Sequence, residues 1–355
     1  MRRIHVIGAG AIGLGIAWRA AQRGADVTVF DPDPGSGAST TAAGMLAAVT
    51  ESHFGEETLA DLATDSVTRW PSFAAELENA SGLNVGYRDI PTLLVGIEEG
   101  DRDNVTRYAG LYRKLGFEVE NLTGRTARKA EPLLSQRARG GVRVRADHEV
   151  DPRAVHAALL TAAHRAGVHI VRDKVTDPTA GDADVVILAA GCGSAAFDLP
   201  VRPVRGVVLR LRADQHQLQP DNIVRAFVRG NPVYIVPRAN GEIVIGATSE
   251  ERGFDATTGT AGATWDLLRN AIDVVPEIAE YHLAEVDVNF RPGTPDNLPI
   301  LGWKDDLLVA TGHYRQGIAL LPATADHLAA AAFGETVDSL APFDPARFAD
   351  RHAGE

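Results

Sequence analysis

Gly8-Ala9-Gly10-Ala11-Ile12-Gly13 follows the apolar run Ile4-His5-Val6-Ile7 and opens a stretch of helical periodicity from Ala11 to Arg23, which Gly24 closes. The spacing is G-x-G-x-x-G. In that pattern the first glycine permits the tight turn, the second lets a pyrophosphate approach the backbone, and the third allows close helix packing. The helix N-terminus then faces the phosphates. Glycines are common in this chain, which has 35, so the bare pattern also suits an ordinary structural turn. Its context favours a ligand. A second strand runs from Asp26 to Asp31, and a carboxylate at its end, Asp31, suits the ribose hydroxyls of an adenosine while repelling a 2'-phosphate. The reading is an adenine dinucleotide other than NADP.

Working outward, Asp151-Pro152-Arg153 starts a helix through Arg165, His169 to Arg172 reads as a strand, and Asp184 to Ala189 is a buried strand entering Ala190-Gly191. The parallel sheet therefore resumes in mid-chain. Between these pieces Tyr87 to Ile97 reads as strand, Asp103 to Leu115 as a charged amphipathic helix and Arg125 to Lys129 as a short helix. Tyr234 to Arg238 and Glu242 to Ala247 alternate as two strands joined through Ala239-Asn240-Gly241, and Asn-Gly is a hairpin signal. The fold class is α/β: a Rossmann-like dinucleotide domain with a βαβ start, interleaved with a mostly antiparallel α+β substrate domain. The first domain is assigned residues 1–85, 145–205 and 290–340, the second 86–144 and 206–289. The tail, 341–355, is polar after Phe343 and is expected to be loosely ordered.

Composition narrows the function. With 35 basic and 47 acidic side chains the formal charge is -12, which repels phosphate backbones and anionic lipid, so nucleic acid and membrane are not expected partners. The single cysteine, Cys192, excludes an intrachain disulfide framework and a multi-cysteine metal centre, and points to the cytoplasm. No histidine or carboxylate array has metal-ligand spacing. Arg2 and Arg3 before an apolar run resemble a secretory signal, but the fixed glycines and the strand after them argue against one.

Several residues could carry chemistry. The small-residue loop Ser39 to Ala48 could lie under a flat ring, although composition alone favours a tightly packed connection. Arg291-Pro292-Gly293-Thr294 presents an arginine on a rigid turn, suited to a carboxylate or to an ordinary surface position. Tyr234 could reach a ligand or be simply half-buried. Thr311-Gly312-His313-Tyr314-Arg315-Gln316-Gly317 leads into a helix expected from Ile318 to Ala332, either starting near Pro322 or kinked there.

Together, Ala42-Ala43-Gly44-Met45-Leu46, Val233-Tyr234-Ile235-Val236-Pro237-Arg238, Gly246-Ala247-Thr248, Arg291-Pro292-Gly293-Thr294 and Gly312-His313-Tyr314-Arg315-Gln316-Gly317 stand in the order seen in the flavin-dependent amine oxidases of the D-amino-acid oxidase superfamily. The chain resembles that family over most of its length, and is most similar to its glycine-oxidase branch, which serves thiamine biosynthesis. The resemblance implies FAD, bound noncovalently because no cysteine follows Cys192. It implies cofactor contacts at Gly8, Gly10, Ala11, Ile12, Gly13 and Asp31, and in the loop Thr41, Ala42, Ala43, Gly44, Met45 and Leu46. Further implied contacts are Val175, Ala190 and Gly191, then Arg291, His313, Tyr314, Arg315, Gln316, Gly317 and Ile318.

Tyr234, Arg291 and Arg315 are the implied catalytic residues, with Arg291 and the Tyr234 hydroxyl on the substrate carboxylate and Arg315 on the same face of the flavin. The implied reaction is oxidative deamination of glycine or another small amino acid by hydride transfer from Cα to flavin N5. Dioxygen takes the electrons to give peroxide, and the imine yields glyoxylate and ammonia or passes to a thiazole synthase. A homo-oligomer is compatible with this. The helix after Gly317 is expected to stabilise charge on the reduced flavin. Ser249 and Pro232 depart from the glycine-oxidase pattern, which has methionine and histidine there, so sarcosine, D-alanine and D-proline stay open as substrates. Another D-amino-acid or N-methylamino-acid oxidase or dehydrogenase of this fold is the alternative. A nicotinamide dehydrogenase would be colourless, and a non-catalytic dinucleotide sensor would show no turnover.

Overall fold

The computed structural model describes residues 1–179, 181–255 and 258–352, with side chains to 349. The last three residues of the expected tail lie outside this set. Two sheets organise the chain. In the first, six strands run in the order Ile300–Lys304, Leu307–Thr311, Val185–Leu188, Arg3–Ile7, Asp26–Phe30, His169–Val171. All neighbours pair in parallel except the 300–304 and 307–311 hairpin. The strand leading into the glycine motif lies inside this sheet, so its apolar residues Ile4 and Val6 are fully buried.

The helix Ala11–Gln22 follows at once. A Cβ on Gly15 would stand 2.6 Å from Leu321 Cδ1, so glycine there lets this helix approach Leu321–Ala332 closely. The helix Ala60–Ser81 braces the same side. Its Ser66 and Trp70 side chains both donate to the Ala319 carbonyl, at 2.7 and 3.1 Å, just before the helix Leu321–Ala332 begins.

The second sheet has eight strands, in the order His282–Gly293, Arg202–Arg212, Glu242–Gly246, Asn231–Pro237, Ile223–Val228, Thr92–Gly96, Gly140–Val144, Glu120–Thr123. It is antiparallel except where 223–228 meets 92–96. The expected hairpin is present, with Tyr234 opposite Gly246. Helix Pro152–Arg165 is also as expected, Asp151 capping it by accepting from Arg153 N at 2.9 Å and Ala154 N at 3.3 Å.

Three expectations are corrected. The strand read over 87–97 spans only Thr92–Gly96, because Pro91 has no N–H for a ladder and Arg88 instead makes an isolated bridge to Glu149. The helix expected from Ile318 starts at Leu321, with Pro322 in its first turn where a missing N–H costs nothing. Among its described residues the tail is not loose: Pro345–His352 forms a 3-10 helix, Phe348 is buried, and Arg347 pairs with Asp296 at 2.9 Å.

Candidate active site

The three motif glycines have different surroundings. Gly8 has φ +109, and a Cβ there would meet the Ala189 carbonyl carbon at 2.8 Å; one on Gly13 would collide with the Gly8 carbonyl. These two are closed by packing. Gly10 is open, with only Ser39 Oγ, at 3.4 Å, near the place of its Cβ. A pyrophosphate therefore fits against Gly10, while Gly8 and Gly13 hold strand, turn and helix together. Asp31 accepts from Ala9 N at 2.7 Å and Asp33 N at 2.8 Å, so it is fixed at the end of its strand beside the turn. Buried His156 donates from Nε2 to the Ala9 carbonyl at 2.9 Å.

Of the other expected cofactor segments, the loop 39–46 and the strand end Ala189-Ala190 adjoin this turn directly. Ala11 N donates to Ser39 Oγ at 3.0 Å, which ties Ala11, and with it Ile12, to the loop 39–46. In that loop Gly44 has φ +78 and packs on Val150 and Pro152, and Met45–Leu46 pairs with His148–Glu149. Thr41 and Ala43 are buried, Ala42 partly so. Val175 lines a cleft of about 230 Å³ with Ile7, Phe30 and Val186. Ala190 packs beside Ile7 and Leu188, and Gly191 has nothing within 4 Å of its Cβ position. Thr311 Oγ1 donates to the Gly191 carbonyl at 3.0 Å and so joins it to the 312–318 turn. In that turn burial pushes the His313 imidazole down to about 3, leaving it neutral against Thr324 Oγ1 at 3.2 Å. Tyr314–Gln316 is a 3-10 turn, after which Gly317 and buried Ile318 precede the helix, so the helix end lies a few residues beyond the turn.

Arg291 and Tyr234 come from different strands of the eight-stranded sheet. The Arg291 guanidinium lies over Gly206, where a Cβ would be 2.7 Å from Cζ, and its Nη1 donates to the Thr248 carbonyl at 3.0 Å. The Tyr234 ring lies over Gly246, where a Cβ would be 2.8 Å from Cε2. Burial pushes the Tyr234 phenol up, opposed by the positive charge of Arg291, so its hydroxyl stays protonated and can donate. Ser249 Oγ sits 3.5 Å from the Tyr314 hydroxyl.

Arg315 is already paired: Nη2 donates to Glu56 Oε2 at 2.5 Å, and Nε is 3.7 Å from Glu51. The sequence reading did not include Glu51, Glu56, Arg225 or Asp147. Burial would raise the Glu51 carboxyl, but Arg225, His53 and Arg315 hold it far below the usual carboxylate range. Arg225, opposite Tyr234 in the ladder, pairs with Glu51, and buried Asp147 accepts from Thr50. A lone arginine inside the apolar strand Ile223–Val228 was the available signal. Among the described residues no His/Cys/Asp/Glu group could hold a metal ion, and no helix is long and apolar enough to cross a membrane.

A family model described as FAD dependent oxidoreductase matches residues 3–331. The bifunctional protein ThiO/ThiG of Trichormus variabilis is 33% identical over 342 residues, covering 91% of this chain and 51% of that protein, so the chain spans about half its length. Glycine oxidase of Geobacillus kaustophilus is 33% identical over 371 residues, covering 97% of this chain and 96% of that one. A crystal structure of glycine oxidase from the same organism superimposes with a TM-score of 0.88 at 32% identity, covering 98% and 99% of the two chains.

Proposed function

Because the chain belongs to the family of FAD dependent oxidoreductases, we propose that it is a glycine oxidase, deaminating glycine and close analogues with FAD held noncovalently. The observation that carries the reading is the convergence of Arg291 and Tyr234 over Gly206 and Gly246 in the eight-stranded sheet. A guanidinium fork and a protonated phenol are the donors an α-carboxylate needs. The bound flavin supplies a two-electron acceptor.

The protein's own residues supply orientation. Arg291 and Tyr234 hold the substrate carboxylate and thereby fix the direction of the Cα–H bond, which is catalysis by positioning. Arg315, its charge balanced by Glu51 and Glu56, borders the same site without adding net positive charge. Gly8, Gly10, Ala11, Ile12 and Gly13 of the turn, Asp31, the loop 41–46, Val175, 190–191, Arg291 and 313–318 are assigned to FAD. The domain reading, with segments 1–85, 145–205 and 290–340 for the cofactor and the remainder to 289 for the substrate, goes with this proposal. Hand-off to a thiazole synthase is supported by the joining of ThiO and ThiG in the relative. Its place would be the cytoplasm.

The test is the visible spectrum of the purified protein under nitrogen, before and after glycine, sarcosine, D-alanine or D-proline, followed by air. Bleaching by glycine and return with peroxide supports the reading. Bleaching only by another amine moves the substrate, and slow return in air makes the enzyme a dehydrogenase. A protein that is colourless and does not take up added FAD overturns the reading.

A further inference from the structure

Tyr234, Val236 and Arg238 lie at alternate positions of one strand and its end, so their side chains share a sheet face. That face meets the loop assigned to the flavin. Val236 and Tyr234 cluster with Ala43 and Met45. Arg238 closes the contact at the far end: Nη2 donates to the Ala43 carbonyl, and Nη1 to the Val150 carbonyl at 2.6 Å and to Glu149 Oε2 at 3.1 Å. Arg238 and Glu149 are both buried, and Arg88 pairs with the other Glu149 oxygen at 3.0 Å. A guanidinium fork fixed on Glu149 thus grips the backbone of the loop from the end of the strand that carries Tyr234.

We infer that Arg238, fixed by Glu149, is a positioning residue that sets the loop 40–44 against Tyr234, and through it the height of the bound flavin over the substrate. The inference rests on the assignment of that loop to FAD. Two further arginines support it, since Arg210 of strand Arg202–Arg212 and Arg153 of helix Pro152–Arg165 both donate to the Thr40 carbonyl, at 3.0 and 3.1 Å. Thr40 and Ala43 are therefore both held by guanidinium groups anchored on carboxylates, Glu242 for Arg210 and Glu285 for Arg153. Carbonyls held this way cannot drift without breaking charge-assisted bonds.

Arg238→Lys tests this, because an ammonium keeps the charge opposite Glu149 but cannot span Glu149, Val150 and Ala43 at once. Flavin release is read without substrate, from fluorescence recovered on serial dilution of the holoenzyme, so the outcome does not depend on glycine being the substrate. The expected result is a Kd for FAD about tenfold higher, the scale of one lost charge-assisted hydrogen bond, with a shifted visible band. With whichever amine bleaches the flavin, kcat should fall while KM is kept. Glu149→Gln, which leaves the arginine in place without its fixed charge, should move the same readouts in the same direction by less, and it decides the matter if the lysine variant does not fold. Wild-type release and spectrum in Glu149→Gln and in any folded Arg238→Lys protein, or a fall in melting temperature with the spectrum unchanged, would overturn the inference.

Discussion

Arg291 and Tyr234 reach towards one another across the sheet because the residues beneath them, Gly206 and Gly246, have no side chains. Arg291 starts on the edge strand and crosses the next strand; Tyr234 starts three strands in from that edge and leans over its own neighbour. A Cβ at Gly206 would stand 2.7 Å from Arg291 Cζ, against the flexible end of a side chain rather than backbone. Gly206→Ala should therefore fold and keep its flavin yet displace the guanidinium. The expected effect is a rise of about tenfold or more in the amino-acid KM, the scale of a loosened charged hydrogen bond. Steady-state kinetics on the yellow protein check it.

Direct removal of the same group should act more strongly. Arg291→Ala takes away the fork proposed to hold the carboxylate, and the expected loss in kcat/KM is roughly 30-fold or more, as for truncating one member of a hydrogen-bonded charge pair. FAD should stay bound. Unchanged kinetics in this variant would remove Arg291 from the substrate site.

At the dinucleotide turn, Gly10 and Gly13 should respond differently. Gly13→Ala drives a Cβ into the Gly8 carbonyl, so the strand-to-helix turn itself must shift, and the soluble yield and melting temperature should drop. Gly10→Ala meets only Ser39 Oγ at 3.4 Å and should fold normally, but it fills the space over which the pyrophosphate is proposed to lie. Its expected form is a folded, largely colourless protein. Circular dichroism beside the visible spectrum separates the two outcomes.

The turn, its helix, the hairpin and the 152–165 helix were legible because each has a local signal: glycine spacing, Asn-Gly, or Asp before Pro. The guanidinium grips on Thr40 and Ala43 were not. Arg153, Arg210 and Arg238 are ordinary-looking arginines, and only tertiary folding brings them to loop carbonyls 113, 170 and 195 residues away. The edge strand His282–Gly293 was missed for a related reason, since it is only partly buried and its Glu285 and Asp287 pair with Arg153.

The buried carboxyl of Asp147 should make stability depend on pH. Burial pushes it up to about 6 from 3.8, with Thr50 and Val49 as its hydrogen-bond donors. A folded-state value above the unfolded one means the folded protein binds more protons between the two, so this group's contribution is full below 3.8 and is lost as pH rises through about 6. Asp147→Asn has no such proton to lose. Its melting temperature, relative to the unmutated protein, should rise across that interval, and parallel melting curves at every pH would exclude Asp147 as the titrating group.

The six-stranded sheet orders events during synthesis. The glycine turn is made first, yet the strand before it pairs with 185–188, which pairs in turn with 307–311 next to the 312–318 turn. Such distant pairings form late and slowly. A nascent chain stalled before residue 307 would lack both the strand that pairs with 185–188 and the turn proposed to contact FAD, so tight flavin binding is expected only of nearly complete chains.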